Sequence, residues 1–244
     1  MLSKDELQVY DRQIMIPELG VSGQEKLKKS KVFIAGAGGI GSPVTLYLAA
    51  AGLGKILIAD NDTVEMSNLN RQVLHWQKDV GFKKVESVKE KISSLNSFIN
   101  IETIDETITD KNIIEITKGC DAIVDAMDNI VTRFALNKAA IKWNIPLFHG
   151  AVNGMEGRAT TIIPGKTACI GCMYKADIPQ SKFPVLGVAP GLIGIIQATE
   201  VIKYLVGMGE LLENRLLIYD GMELKFKEFK LSRNPECTEC SGVK

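Results

Sequence analysis

The sequence predicts an α/β protein with a doubly wound sheet, parallel in its N-terminal part and extended by antiparallel strands towards the C-terminus. Three observations predict it. A short apolar run, Val32 to Ala35, breaks into Gly36, Gly38 and Gly41 and gives way to a helical pattern from Ser42 to Ala51, ended by Gly52. Strand-length apolar runs then alternate with helix-length stretches through roughly the first 150 residues, the order of a parallel sheet with crossover helices. Beyond that the strands outnumber the helices, so few crossovers remain to keep neighbours parallel.

The chain has 244 residues, 45% apolar and 24% charged, with no net charge. That length holds one large α/β domain or two small ones. No Pro/Ser-rich linker, repeat or low-complexity run divides it, so 1–244 reads as a single domain. The charge balance gives no support for bulk binding to nucleic acid or to an anionic membrane. The polar start, Met1 to Asp11, lacks the apolar core of a signal peptide. The longest apolar run, Val188 to Val206, carries Gln197, Glu200 and Lys203 and reads as a buried helix rather than a membrane span. The five cysteines are not spaced like a secreted disulfide scaffold, so a reducing cytoplasm is expected.

Taken in order, residues 4–29 read as helix in pieces, with Leu7, Tyr10 and Ile14 at helical spacing, interrupted at Gly20 and Gly23. The glycine turn follows the first strand. Gly36 permits a tight turn, Gly38 lets backbone approach a phosphate, and Gly41 lets the helix pack close on the strand. The helix start then offers free N–H groups and a positive dipole end to an anion. Alone, such a turn is also an ordinary strand-to-helix corner. The second strand, Lys55 to Ala59, ends in Asp60, 19 residues past Gly41 and placed to bond a ribose hydroxyl. Together these features make the sheet Rossmann-like and nucleotide-binding.

Arg71 and Lys84 follow just beyond that strand tip. A nicotinamide needs a flat apolar slot there; a triphosphate needs fixed cations. Lys83, Lys89 and Lys91 read as surface charges on a helix over 84–95 whose apolar face is Val85, Val88, Ile92 and Leu95. Ile99 to Ile104 reads as a strand, 110–118 as a short helix, and Asp121 to Ala126 as the next strand, with Met127-Asp128-Asn129 at its tip. Asp128 is a hard oxygen ligand suited to Mg²⁺ among phosphates. Asp125 is either a supporting group or a satisfied core carboxylate. A helix over 130–143 and a strand from Ile145 to His149 complete the parallel part. Arg158 to Ile163, Arg215 to Tyr219 and Lys225 to Leu231 read as strands around one long helix from about Pro190 to Val206, ended by Gly207.

Cys169-x-x-Cys172 and Cys237-x-x-Cys240 each place two thiolates on one turn, and two such pairs complete a four-cysteine zinc site. Neither pair follows a strand and opens a helix as a redox CxxC does. With four thiolates no position is open to water, so the zinc is expected to be structural. Cys120 reads as a small buried hydrophobe. Of the two histidines, His75 reads as packing or capping, and His149 ends a strand where it could touch a ligand.

Together these pieces resemble the ubiquitin-activating-type adenylyltransferases, the MoeB/ThiF/HesA family of molybdopterin and thiamine biosynthesis. The likeness runs from about Tyr10 to Cys240. It rests on Tyr10-Asp-Arg-Gln-Ile14, the Gly36–Gly41 turn, Asp60-x-Asp62-x-Val64, Ser67-Asn-Leu-Asn-Arg-Gln72, Lys84-Val-Glu86, Asp125-Ala-Met-Asp-Asn129 and the two CxxC pairs. The resemblance implies an enzyme that uses ATP and Mg²⁺ to activate the C-terminal glycine carboxylate of a small ubiquitin-like sulfur carrier of the ThiS/MoaD type, releasing pyrophosphate. It implies that Gly36, Gly38, Gly39, Gly41, Asp60, Asp62, Asn68, Arg71, Lys84, Asp128 and Asn129 bind the nucleotide. Within that set Asp60 would hold the ribose, Asn68, Arg71 and Lys84 the phosphates, and Asp128 the Mg²⁺. Arg12 would reach the phosphates of a neighbouring subunit, giving an obligate homodimer. Arg12, Arg71, Lys84 and Asp128 are the implied catalytic residues.

One departure bears on the chemistry. Some relatives carry a cysteine between the first CxxC and the long C-terminal helix. Here that loop is Tyr174 to Val188, irregular, with Pro179, Pro184 and Gly187, and expected over a bound carrier tail. No cysteine lies between Cys172 and Cys237. The reaction is therefore expected to stop at the adenylate, with sulfur supplied by a separate cysteine desulfurase or rhodanese, since the chain ends just past Cys240 with no fused rhodanese domain. The rival readings are an NAD-dependent oxidoreductase, adenylation of a non-carrier peptide carboxylate, and a scaffold that kept the fold without activity.

Overall fold

The computed structural model describes residues 1–175 and 183–243. Its centre is an eight-stranded sheet in the order β3-β2-β1-β4-β5-β6-β7-β8. The first five strands, β1 (Lys31–Ala35), β2 (Lys55–Ala59), β3 (Asn100–Ile104), β4 (Ala122–Asp125) and β5 (Leu147–Asn153), are mutually parallel. Antiparallel strands β6 (Glu156–Ile162), β7 (Arg215–Asp220) and β8 (Lys225–Lys230) extend the β5 edge. The expected mixture of parallel core and antiparallel extension is what forms.

Alternation along β1 divides the core. Val32 and Ile34 face one layer, with Ile56, Ile58, Ala122 and Val124; Phe33 and Ala35 face the other, with Leu57, Ala59 and Ile123. Helices α4 (Gly41–Ala50), α5 (Lys84–Leu95) and α9 (Val188–Val206) cover the first face. Helices α6 (Ile113–Ile116), α7 (Ile130–Trp143) and α8 (Ile170–Met173) cover the second. By length and composition α9 could cross a membrane. In the fold its Ile193, Ala198 and Val201 enter the core, and Glu200 is held by Thr161 Oγ1 and the Leu212 amide, both at 2.6 Å.

Ahead of β1 lie α1 (Lys4–Val9), α2 (Asp11–Ile14) and α3 (Gly20–Lys29). The expected interruption at Gly20 is present, since α2 ends at Ile14 and Gly20 opens α3 with φ +56°, but the one at Gly23 does not occur, because Gly23 lies inside α3. Gly23 is there for packing: a Cβ on it would sit 2.9 Å from Val206 Cγ1, so the bare backbone lets α3 lie against the end of α9. Two surface expectations also fail. Lys91, expected as a solvated charge, is buried in an ion pair with Asp79. Leu95, expected on the apolar face of α5, is 49% exposed. Cys120 is buried as expected.

Candidate nucleotide site and thiol cluster

The strand order reverses between β1 and β4, and the ends of those strands open into a cavity of ≈ 810 Å³. Ligands of open α/β sheets bind at such a switch point, and the volume lies in the range of small-molecule sites. The glycine turn forms one wall. Gly36 has φ +98°, and a Cβ there would meet the Ala126 carbonyl oxygen at 2.9 Å. A Cβ on Gly41 would lie 1.9 Å from the Gly36 oxygen, so α4 can start this close to β1 only with glycine. No side chain caps α4; its Ser42 N–H goes to the Gly38 carbonyl at 2.9 Å and Pro43 has none, so the N–H groups left for an anion are those of the turn itself, Gly38 to Gly41. Gly38 and Gly39 line the cavity; Gly41 lies behind it as a packing residue.

Asp60, at the tip of β2, lines the cavity and accepts the N–H groups of Ala37 (2.8 Å) and Asp62 (2.9 Å). Lys84 begins α5 with its side chain only 7% exposed and its ammonium 2.7 Å from Asp62, which is 62% exposed. Arg71 also reaches the cavity, steadied by the Ser67 carbonyl at 2.8 Å and Asn70 Oδ1 at 3.0 Å. Asp128 stands exposed at the lip beyond β4. Asn129 beside it caps α7, accepting the Thr132 N–H at 2.8 Å.

Two implied residues lie elsewhere in this chain. Asn68 does not line the cavity; it is buried one turn back, its Oδ1 accepting the Glu65 N–H at 3.0 Å. Arg12 is exposed on α2, where the adjacent Gln13 donates to the Ala51 carbonyl at the far end of α4. Ten helical residues span about 15 Å, so Arg12 lies at the opposite end of α4 from the phosphate turn.

Arg133 is a cavity residue that the sequence motifs do not include. It lies on the first turn of α7, donates to the Met127 carbonyl at 2.7 Å, and sits 3.4 Å from Asp125 Oδ2. Its place one helical turn past Asn129, pointing back at the strand tip, was the available signal. Its contact with Asp125, made from Nε, is an ion pair to the buried carboxylate rather than a hydrogen bond. The Oε1 of Gln72, another cavity residue, is buried without a hydrogen-bond partner among the described residues, and an unsatisfied polar atom beside an open cavity fits a polar ligand.

Behind Arg133, Asp125 and His149 are both fully buried, with Nδ1 to Oδ2 at 2.6 Å and His149 Nε2 to the Tyr174 hydroxyl at 3.1 Å. Burial pushes the His149 pKa below the ordinary imidazole value, although Asp125 opposes it. Burial also raises the Tyr174 phenol. His149 therefore supports the cavity floor rather than lining it, and Asp125 is a satisfied core carboxylate that steadies Arg133. Residues 176–182, most of the loop expected over a substrate tail and including Pro179, lie outside the described residues. The end of that loop is tied to the β5–β6 turn, where the Gly154 N–H donates to Pro184 at 2.7 Å, and it brings Phe183 and Val185 to the cavity.

The four cysteines converge although 64 residues separate the pairs. Their sulfurs lie within 4.8 Å of one another, with Cys169–Cys172 at 3.9 Å, Cys169–Cys237 at 3.7 Å and Cys172–Cys240 at 3.6 Å. A Zn–S bond of about 2.3 Å in a tetrahedron gives S···S edges of about 3.8 Å. The cluster could hold such a metal, and it lies against α7 rather than in the cavity.

A glycine turn at a helix start, a strand-tip carboxylate and the cations Arg71, Lys84 and Arg133 around one switch-point cavity mark an α/β protein with a pocket suited to an anionic ligand. Its family is settled by comparison with known proteins: the chain matches the ThiF family over residues 10–239 and belongs to it. It is 41% identical over 245 residues to the SAMP-activating enzyme E1 of Haloferax volcanii, spanning 98% of this chain and 90% of that protein. It is 37% identical to the sulfur carrier protein adenylyltransferase of Thermus thermophilus, over 98% and 92% of the two chains. It also matches the adenylyltransferase and sulfurtransferase MOCS3 of Anopheles gambiae at 40%, covering 56% of that longer protein. Among solved structures, Escherichia coli MccB with MccA-N7isoASN superposes with a TM-score of 0.86 at 29% identity, over 95% of this chain and 74% of that one. MccB with ATP superposes with 0.82 at 30%, over 90% and 68%.

Proposed function

We propose that this chain is an ATP-dependent adenylyltransferase acting on the C-terminal glycine carboxylate of a small ubiquitin-like sulfur carrier of the ThiS/MoaD type. The observation that carries the proposal is the meeting of the glycine turn, Asp60, Arg71, Lys84 and Asp128 at one cavity. The end-to-end likeness to two proteins named for activating SAMP and a sulfur carrier supports the choice of substrate. The pathway, thiamine or molybdopterin, is left to the identity of the carrier.

In the reaction the carboxylate oxygen bonds to the α-phosphorus. The bond to the bridging oxygen breaks, and pyrophosphate leaves with the electron pair. Both reacting groups are anions, so the protein's task is to neutralise charge and align the reactants. Asp60 takes the ribose hydroxyls. The turn's N–H groups, Arg71 and Lys84 take the phosphates, with Asn68 and Asn129 steadying the loops that carry them. Lys84 exchanges the exposed Asp62 carboxylate for a phosphate oxygen. Asp128 is the ligand for Mg²⁺, which would neutralise charge on the phosphates when bound. The thiol cluster holds a structural Zn²⁺. Arg12, far from its own cavity, serves that of a partner subunit in a homodimer. Residues 1–244 act as one cytoplasmic adenylation domain, without nucleic acid or membrane, and a separate desulfurase or rhodanese supplies the sulfur.

Isothermal titration tests the nucleotide assignment. ATP with Mg²⁺ is expected to bind, Lys84→Ala to weaken it at least tenfold, roughly the worth of one charge-assisted contact, and NAD to give no heat. Tight NAD binding with no response to ATP would replace this reading with that of a dehydrogenase.

A further inference from the structure

Three side chains of α5 share an inner face. Lys84, Ser87 and Lys91 fall at i, i+3 and i+7 and are all buried. Lys84 reaches the cavity, while the other two enter a chain of polar groups that phosphate contacts do not require. Lys91 pairs with Asp79, and its ammonium also lies 3.1 Å from Ser87 Oγ. Ser87 Oγ is 2.9 Å from His75 Nδ1. His75 Nε2 is 2.9 Å from the carbonyl oxygen of Ala37, the residue between Gly36 and Gly38 in the glycine turn. The same carbonyl accepts a longer bond from Ser42 Oγ at 3.3 Å.

Counting protons gives the chain a direction. A carbonyl only accepts, so His75 Nε2 carries the ring proton. Burial lowers the His75 pKa, against the pull of the Ala37 carbonyl, Asp60 and Asp79 and with the push of Lys84, so the ring is neutral and Nδ1 accepts. Ser87 has one hydroxyl proton and two acceptors within reach, Asp79 Oδ2 and His75 Nδ1. Asp79 Oδ2, 3.0 Å from Ser87 Oγ, keeps the Lys91 ammonium and the Trp76 N–H at 2.7 Å.

The consequence lies in the Ala37–Gly38 peptide. A trans peptide is planar, with its carbonyl and the following N–H pointing in opposite directions. Drawing the Ala37 carbonyl inward to His75 turns the Gly38 N–H outward, on the side where Gly38 lines the cavity. With glycine at its C-terminal side this peptide is free to flip, and a flip would present a carbonyl oxygen to a phosphate.

We propose that His75 is a positioning residue of the nucleotide site: braced by Ser87 and the Lys91–Asp79 pair, it fixes the Ala37–Gly38 peptide so that the Gly38 N–H faces the phosphates. It also ties the glycine turn to α5, the helix that brings Lys84, so the two phosphate-holding parts keep their spacing. This inference rests on the nucleotide reading of the cavity.

The test titrates ATP·Mg²⁺ into the full chain and into His75→Gln, His75→Asn and Ser87→Ala, with thermal unfolding of each. The Gln amide reaches the Nε2 position and can still bond Ala37; the Asn amide reaches only the Nδ1 position. Gln is expected to bind ATP within threefold of the parent, and Asn about tenfold more weakly, the worth of one hydrogen bond. Ser87→Ala, which removes the brace but not the bond, falls between them. Affinity is expected to follow the Ala37 bond and not the unfolding temperature. Parental affinity in the Asn variant would overturn the proposal, as would affinity that merely tracks thermal stability across the three. No ATP binding by the parent would instead overturn the nucleotide reading, and this one with it.

Discussion

Lys84 and Asp62 show how a buried cation is kept ready for an anionic ligand. The ammonium is almost enclosed, but its carboxylate partner stands in solvent and can give way to a phosphate without leaving a charge unpaired. The histidines behave differently. The chain has two, and burial lowers the pKa of both. The unfolded chain takes up protons at both as pH falls through about 6.5, while the folded chain does not. Their contribution to stability is therefore complete above that pH and is lost as pH falls towards the lowered folded values, at up to about 1.4 kcal/mol per pH unit for each. Urea unfolding of the parent and of His75→Gln at pH 7.5 and pH 5.5 checks this. The parent is expected to lose more stability on acidification, and equal losses would show that His75 is already protonated in the fold.

At the scale of elements, the thiol cluster ties the C-terminal segment to α8 and the face of α7. Arg233 bonds the Gly165 carbonyl at 2.8 Å in the same segment. Stripping the metal with a chelator is expected to lower the unfolding temperature by several degrees while ATP affinity stays within twofold, because the cluster does not line the cavity. Loss of ATP binding with no thermal change would contradict a structural role. The two CxxC pairs were legible because metal ligands must recur at fixed spacing. Strands β1, β2 and β7 were legible to within a residue because apolar runs of strand length between turn residues have few other uses. Charged residues were less legible: Lys91 looks like any surface lysine until the fold sets Asp79 against it. Asn68 and Arg133 show the same limit, since a motif names residue types near a ligand but not which of them face it. Gly23 looked like a break because its use, the approach of α9, lies far off in sequence.

For the whole molecule, the mixed sheet sets a cavity at its switch point and leaves Arg12 at the other end of α4 from it. If Arg12 serves a partner, mixing inactive Arg12→Ala and Lys84→Ala subunits restores activity, because some mixed dimers then keep one intact site; inactive mixtures would refute the shared site. The central claim is adenylation of a carrier tail, and ATP–pyrophosphate exchange tests it most directly. Purified ubiquitin-like sulfur carriers are assayed one at a time, intact and lacking the last glycine. The account predicts exchange with at least one intact carrier and none with its truncated form. Exchange that ignores the final glycine, or no exchange with any carrier by a chain that still binds ATP, would contradict it.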